Sequence, residues 1–209
     1  LSFNKAGLLS ASLKNVVLVR GDLFDVDVTR KQGRFVIAAN GRSFDGRSII
    51  NKVIHEDGLG GSASNTDVSL TANFGRLGGF NSQVMENALV RYQTDKGWLT
   101  KLEVRGALNG KLSQIDAFRR GNSTTFKFAS DNAGAALAMV DLYRKMESGK
   151  LNAKLVRNGE GPCIGNVIVK DFVIAGEERL KSLVAAPPGD KRLKKASGRL
   201  QELNVQRVK

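Results

Sequence analysis

At 209 residues, 41% hydrophobic and 25% charged, the chain is long enough to bury a core and too apolar for global disorder. Its 23 glycines against 3 prolines suit short strands joined by tight turns, because glycine reaches the positive φ that such turns need. A formal net charge of +13 invites an acidic partner, while no apolar run nears the ~20 residues of a membrane-crossing helix. Along the chain, Phe24, Val26 and Val28 alternate with Asp25, Asp27 and Thr29, the period-two pattern of a half-buried strand. A turn at residues 31–33 leads to Phe35, Ile37 and Ala39 with the same alternation. Ile49, Ile50, Val53 and Ile54 predict a short helix over 46–55, and a Gly/Ser connector follows at 58–64. Val68, Leu70, Ala72 and Phe74 then alternate with Ser69, Thr71 and Asn73. Turn signals at Asp95-Lys96-Gly97 and Asn109-Gly110 bracket a strand in which Trp98, Leu102, Val104 and Leu108 share one parity.

The spacing of Ala133, Ala136, Leu137 and Val140 predicts the main helix over 131–148, capped by Ser130-Asp131-Asn132 and stopped at Ser148-Gly149. Leu151, Ala153 and Leu155 mark another strand, and Asn158-Gly159-Glu160-Gly161 another turn. A third short helix is expected over 176–185, followed by Pro187-Pro188-Gly189. The class is therefore α+β: a strand-dominated antiparallel sheet, apolar on one face and charged on the other, with a few amphipathic helices inserted. Residues 1–209 read as a single segment, subdivided near 56–64 and carrying a basic connector at 186–198. The opening at Leu1 and the basic close at Val205-Gln206-Arg207-Val208-Lys209 are read as the bounds of a piece of something longer.

The inventory for catalysis is nearly empty, so an enzyme is not expected. His55 is the only histidine, and the dipole at a helix C-terminus accounts for it. Cys163 stands alone, which excludes an intrachain disulfide or a CxxC pair. Asp22, Asp25 and Asp27 lack the glycine and glutamate of a calcium loop, and the glycines at 58–61 and 75–79 lack a phosphate-loop lysine. No metal site, cofactor or catalytic residue is assigned. Positive charge is dense only at Lys191-Arg192-Leu193-Lys194-Lys195, so Lys191, Arg192, Lys194 and Lys195 are the candidates for an anionic surface. No aromatic side chain interleaves them, which ranks nucleic acid as an unfavoured alternative partner.

The segment order resembles a known family. Phe44-Asp45-Gly46-Arg47, the run from Leu70 to Leu77, the run from Phe126 to Ala135, and Met146-Glu147-Ser148-Gly149-Lys150-Leu151 resemble the AsmA-like envelope proteins of Gram-negative bacteria, including the YhdP group. The strand Gly165-Asn166-Val167-Ile168-Val169-Lys170-Asp171-Phe172 and the segment from Glu178 to Val184 extend the likeness over roughly 15–209. The resemblance implies a C-terminal piece of a long twisted β-groove whose apolar interior passes phospholipid between inner and outer membranes. It further implies a periplasmic location, with an inner-membrane anchor outside this segment, and it brings no catalytic residues. Val68, Leu70, Ala72, Phe74, Phe126 and Phe128 are then the lipid-facing candidates. The competing reading makes them core, sealed by the helix over 131–148. A scaffold that binds another envelope protein through sheet edges or the basic tail is the alternative function.

Overall fold

The computed structural model describes residues 1–4, 7–51, 67–159 and 161–176. In chain order these form β1 (Ser2–Asn4), β2 (Gly7–Val16), β3 (Leu23–Lys31), β4 (Arg34–Asp45), α1 (Arg47–Asn51), β5 (Val68–Gly78) and β6 (Val84–Asp95). There follow β7 (Trp98–Leu108), β8 (Lys111–Arg120), β9 (Ser123–Ser130), α2 (Ala133–Met139), β10 (Met146–Asn158) and β11 (Cys163–Ile174). The strands build one open, curved sheet in which spatial order equals chain order, β1 to β11. Many of these neighbouring pairs follow from local turn chemistry. Gln32-Gly33, Lys96-Gly97 and Asn109-Gly110 all take positive φ at both positions, the backbone of two-residue type I′ hairpins. Asn81-Ser82 does the same between β5 and β6, closed by the Gln83 N–H donating to the Phe80 carbonyl at 3.0 Å.

Two expectations need correction. The sheet is not wholly antiparallel: β4 and β5 pair in parallel, from Phe35 opposite Val68 to Asp45 opposite Gly78. The main helix is also far shorter than 131–148. Asn132 does cap it, accepting from the Ala135 N–H at 3.1 Å, but it ends at Met139. Asp141 then takes φ of +56°, and the 146–148 segment joins the sheet by pairing with 172–174 of β11. Ladder hydrogen bonds to β11 outweigh the modest helical propensity of that stretch. Of the predicted 46–55 helix, 47–51 is helical as α1, and the rest lies outside the described residues. So do the 176–185 helix beyond Gly176, His55, the connectors at 58–64 and 186–198, and the basic cluster.

Curvature has a local cause. In β2, β4, β5 and β6 the inward side chains follow period two and then skip: Leu13 to Val16, Gly41 to Phe44, Phe74 to Leu77, and Met85 to Ala88. Each step is three residues, the mark of an inserted residue, and Asn15 and Asn87 absorb theirs at φ of +52° and +50°. Val169 to Phe172 in β11 repeats the step, with Asp171 at +55°. Bulges at one level across neighbouring strands bend and twist the sheet along a line. Gly41 shows how tight the line is, since a Cβ there would collide with the Phe24 side chain and backbone.

Beyond the line, the apolar face is filled at one end. Phe24 meets Phe44 and Phe74 edge-on at 5.5 and 6.0 Å, while Phe44 and Phe74 stack at 5.1 Å. Leu77, Met85, Leu108 and Met139 complete this cluster. Helix α2 lies across that end. Its Met139 carbonyl accepts from the Phe80 N–H at 2.9 Å, and its Ala133 packs with Leu151 and Val169.

Candidate functional site: an apolar face ten strands wide

The register aligns like side chains with like. One row runs Leu13, Val26, Ala39, Ala72, Val90, Val104, Ile115, Phe128, Ala153 and Val167, each paired with the next across β2 to β11. A second, two residues along each strand, runs Ala11, Val28, Ile37, Leu70, Tyr92, Leu102, Ala117, Phe126, Leu155 and Gly165. Neither row contains a charged residue. At ~4.8 Å per strand spacing, each extends for about 43 Å.

Between them, pointing to the other face, lies Ser12, Asp27, Ala38, Thr71, Arg91, Glu103, Asp116, Lys127, Lys154 and Asn166. Here the sheet is wet and ionic. Glu103, its side chain 7% exposed, takes Arg91 at 3.2 Å, Arg105 at 3.1 Å and Lys101 at 3.7 Å. Burial raises its carboxyl pKa, but the Arg91 hydrogen bond and the charges of Arg105, Arg91 and Lys101 outweigh that and hold it below the ordinary value. Asp25 and Asp27 belong to this face too. Asp25 accepts from the Asn15 N–H at 2.9 Å and pairs with Lys14 at 3.2 Å; Asp27 accepts from the Ser12 hydroxyl. Asp22 instead pins backbone, accepting from Val19 at 3.2 Å and Asp45 at 2.8 Å.

All six lipid-facing candidates share the apolar face, but their surroundings differ. Ala72, Phe74 and Phe126 are buried at 2%, 6% and 3% exposure, so they are core. Val68, Leu70 and Phe128 are half-buried. Val90, Ile115, Ala153 and Val167 lie in the same rows without having been picked out. The signal for Val90 was present in the alternation with Arg91, but Asn87 shifts the parity within β6 and hides it. Cys163 packs half-buried at the far end with Tyr92, Leu99 and Leu155, and burial pushes its thiol pKa up against the opposing pull of Arg157. Lys191, Arg192, Lys194 and Lys195 lie outside the described residues.

The middle of the face differs from its ends. Val26, Val90, Val104, Ile115, Phe128, Ala153 and Val167 are half-buried, and Leu13 is 47% exposed. The side chains of α1 and α2 meet the bulged end of the face and its β10–β11 side. Among the described residues no three His, Cys, Asp or Glu converge, and no helix is long and apolar enough to cross a membrane. No family model matches the chain, and no curated protein or solved structure matches it.

Proposed function

We propose that this chain is a non-enzymatic segment that holds the acyl chains of phospholipids along its apolar face. It would be a periplasmic part of an inner-membrane-anchored protein of the AsmA-like kind, moving lipid between the two membranes. The observation that carries the reading is the pair of apolar rows crossing ten strands without a charge. An aliphatic chain laid against half-buried valine, isoleucine and phenylalanine gains ~0.8 kcal/mol for each methylene it removes from water. A sheet continued beyond β11 would lengthen the strip without changing its chemistry.

Native mass spectrometry of the purified chain, with lipid extraction, tests the reading. Phospholipid is expected to co-purify, and the Val104→Lys/Ile115→Lys variant to lose most of it while retaining its strand content by circular dichroism. A folded wild-type chain that carries no lipid and takes up no spin-labelled fatty acid would sink the proposal.

One observation favours a second reading, a scaffold that docks another envelope protein. Strand β11 runs for 12 residues at the sheet's edge, with Ile164 and Val173 each 57% exposed. A long open edge accepts an added strand through main-chain hydrogen bonds.

A further inference from the structure

At the bulged end of the sheet, a cleft of about 630 Å³ lies between the β2–β3 connection and the β5–β6 turn. We propose that it binds a phosphate-bearing anion through Arg20, Arg42 and Arg76.

Most other described arginines have partners. Elsewhere among the described residues, Arg34, Arg47, Arg91, Arg105 and Arg144 have carboxylates. Arg119 donates to the Gly121 carbonyl and lies over Trp98, while Arg30 and Arg120 lie over Phe35 and Phe118. Arg157 leaves a buried Nε unsatisfied. Among the described residues Arg20, Arg42 and Arg76 have neither an ion pair nor a ring, and all three line one cleft. Its fourth guanidinium, Arg47, is occupied by Asp45.

The carboxylates of the cleft do not neutralise them. Asp22 spends its oxygens on the Val19 and Asp45 N–H groups, and Asp45 spends its own on Arg47. Glu86 stands opposite Arg76 in the ladder, yet it forms no ion pair among the described residues.

The fold also fixes where the three charges start. Arg42 is the extra residue at the bulge opposite Leu23–Phe24, and its neighbour Ser43 pairs in register with Arg76. Arg20 is held against the same strand because the Ser43 hydroxyl donates to the Gly21 carbonyl and Asp22 bonds the Asp45 N–H. Three like charges without a carboxylate partner among the described residues line one cleft, and a multiply acceptor-bearing anion would relieve their mutual repulsion. Guanidinium forks match phosphate oxygens two at a time. A phospholipid headgroup and a soluble phosphate ester offer the same chemistry. The site therefore deepens the lipid reading but rests on it only for the source of the phosphate.

The test uses the whole 209-residue chain. Calorimetric titration with glycerol 3-phosphate is set beside flotation with phosphatidylcholine vesicles that contain or lack phosphatidic acid. Arg42→Gln/Arg76→Gln is compared with Lys150→Gln/Lys154→Gln, which removes equal charge from exposed positions of β10. Arginine replacement is expected to weaken binding about tenfold or more, the control less than twofold, with melting temperatures unchanged. Binding of glycerol 3-phosphate that the arginine variant loses identifies a soluble ester. Binding only to phosphatidic acid vesicles, lost in the same way, identifies a headgroup. Equal weakening in the control, or no binding to either probe, overturns the proposal. A chain that binds phosphate but holds no acyl chain keeps this site and removes only the lipid-groove reading.

Discussion

Glu103 and Phe74 show how the two faces are held by different forces. The Glu103 carboxylate is nearly buried, but its three cationic partners are each about half exposed, which screens the network. Glu103→Gln should therefore cost only about 1 kcal/mol at neutral pH, read by urea denaturation. Because the folded carboxyl lies below the ordinary value near 4.5, its contribution is complete above that value. It is lost as pH falls through the lowered value, so the gap between wild type and variant should close in strong acid. Phe74 contributes by packing instead, and Phe74→Ala should cost about 3–5 kcal/mol. Leu13→Ala, at a residue 47% exposed, should cost under about 0.5 kcal/mol in the same assay. Gly41→Ala pushes a methyl into Phe24 at the bulge line, and a loss of about 2 kcal/mol is expected.

Helix α2 has seven residues, too few to be stable alone in water, so its tertiary contacts hold it. At one end Asn132 caps it; at the other, Phe80 and Asn81 of the β5–β6 turn donate to the Met139 and Ala138 carbonyls at 2.9 and 2.8 Å. It thus ties β6 to β10, four strand spacings apart, and braces the curved end of the sheet. Asn132→Ala should lower stability by about 1 kcal/mol. Hydrogen exchange should then show faster opening at the 146–148 segment, which packs beside α2, and no change at the Lys96-Gly97 turn. Uniform acceleration across all strands would refute a local bracing role.

At the scale of the molecule, β11 ends the open sheet, and among the described residues no strand pairs with its outer edge. The charged residues of β11, Lys170 and Asp171, lie near one end of the strand, and Ile164 and Val173 stand exposed. Concentration-dependent self-association of the isolated chain is therefore expected in sedimentation velocity. Ile164→Lys/Val173→Lys should suppress it without changing strand content. Dimers unaffected by this change would place the contact elsewhere.

Much of this architecture was legible in the residues. Alternation in 24–28, 35–39, 68–74 and 151–155 assigned inward and outward side chains correctly, because a period of two admits one assignment once a face is buried. Glycine turns at Lys96-Gly97 and Asn109-Gly110 announced hairpins, since few other residues accept that backbone. The strands of β1, β2, β6, β8 and β9 went unread. Asn15 and Asn87 break the parity of β2 and β6, and β8 mixes Phe118 on one face with Ile115 and Ala117 on the other. Helical spacing in 131–148 misled because pairing with β11, distant in sequence, captured 146–148. Registration was beyond any single segment. That Ala39 stands beside Ala72, or Ser43 beside Arg76, depends on a parallel crossing whose partners lie 33 residues apart and on the bulges beside it. Local pattern chose which side chains face inward and local turns set the hairpin registers; long-range pairing decided how β4 meets β5 and how β11 captures the 146–148 segment.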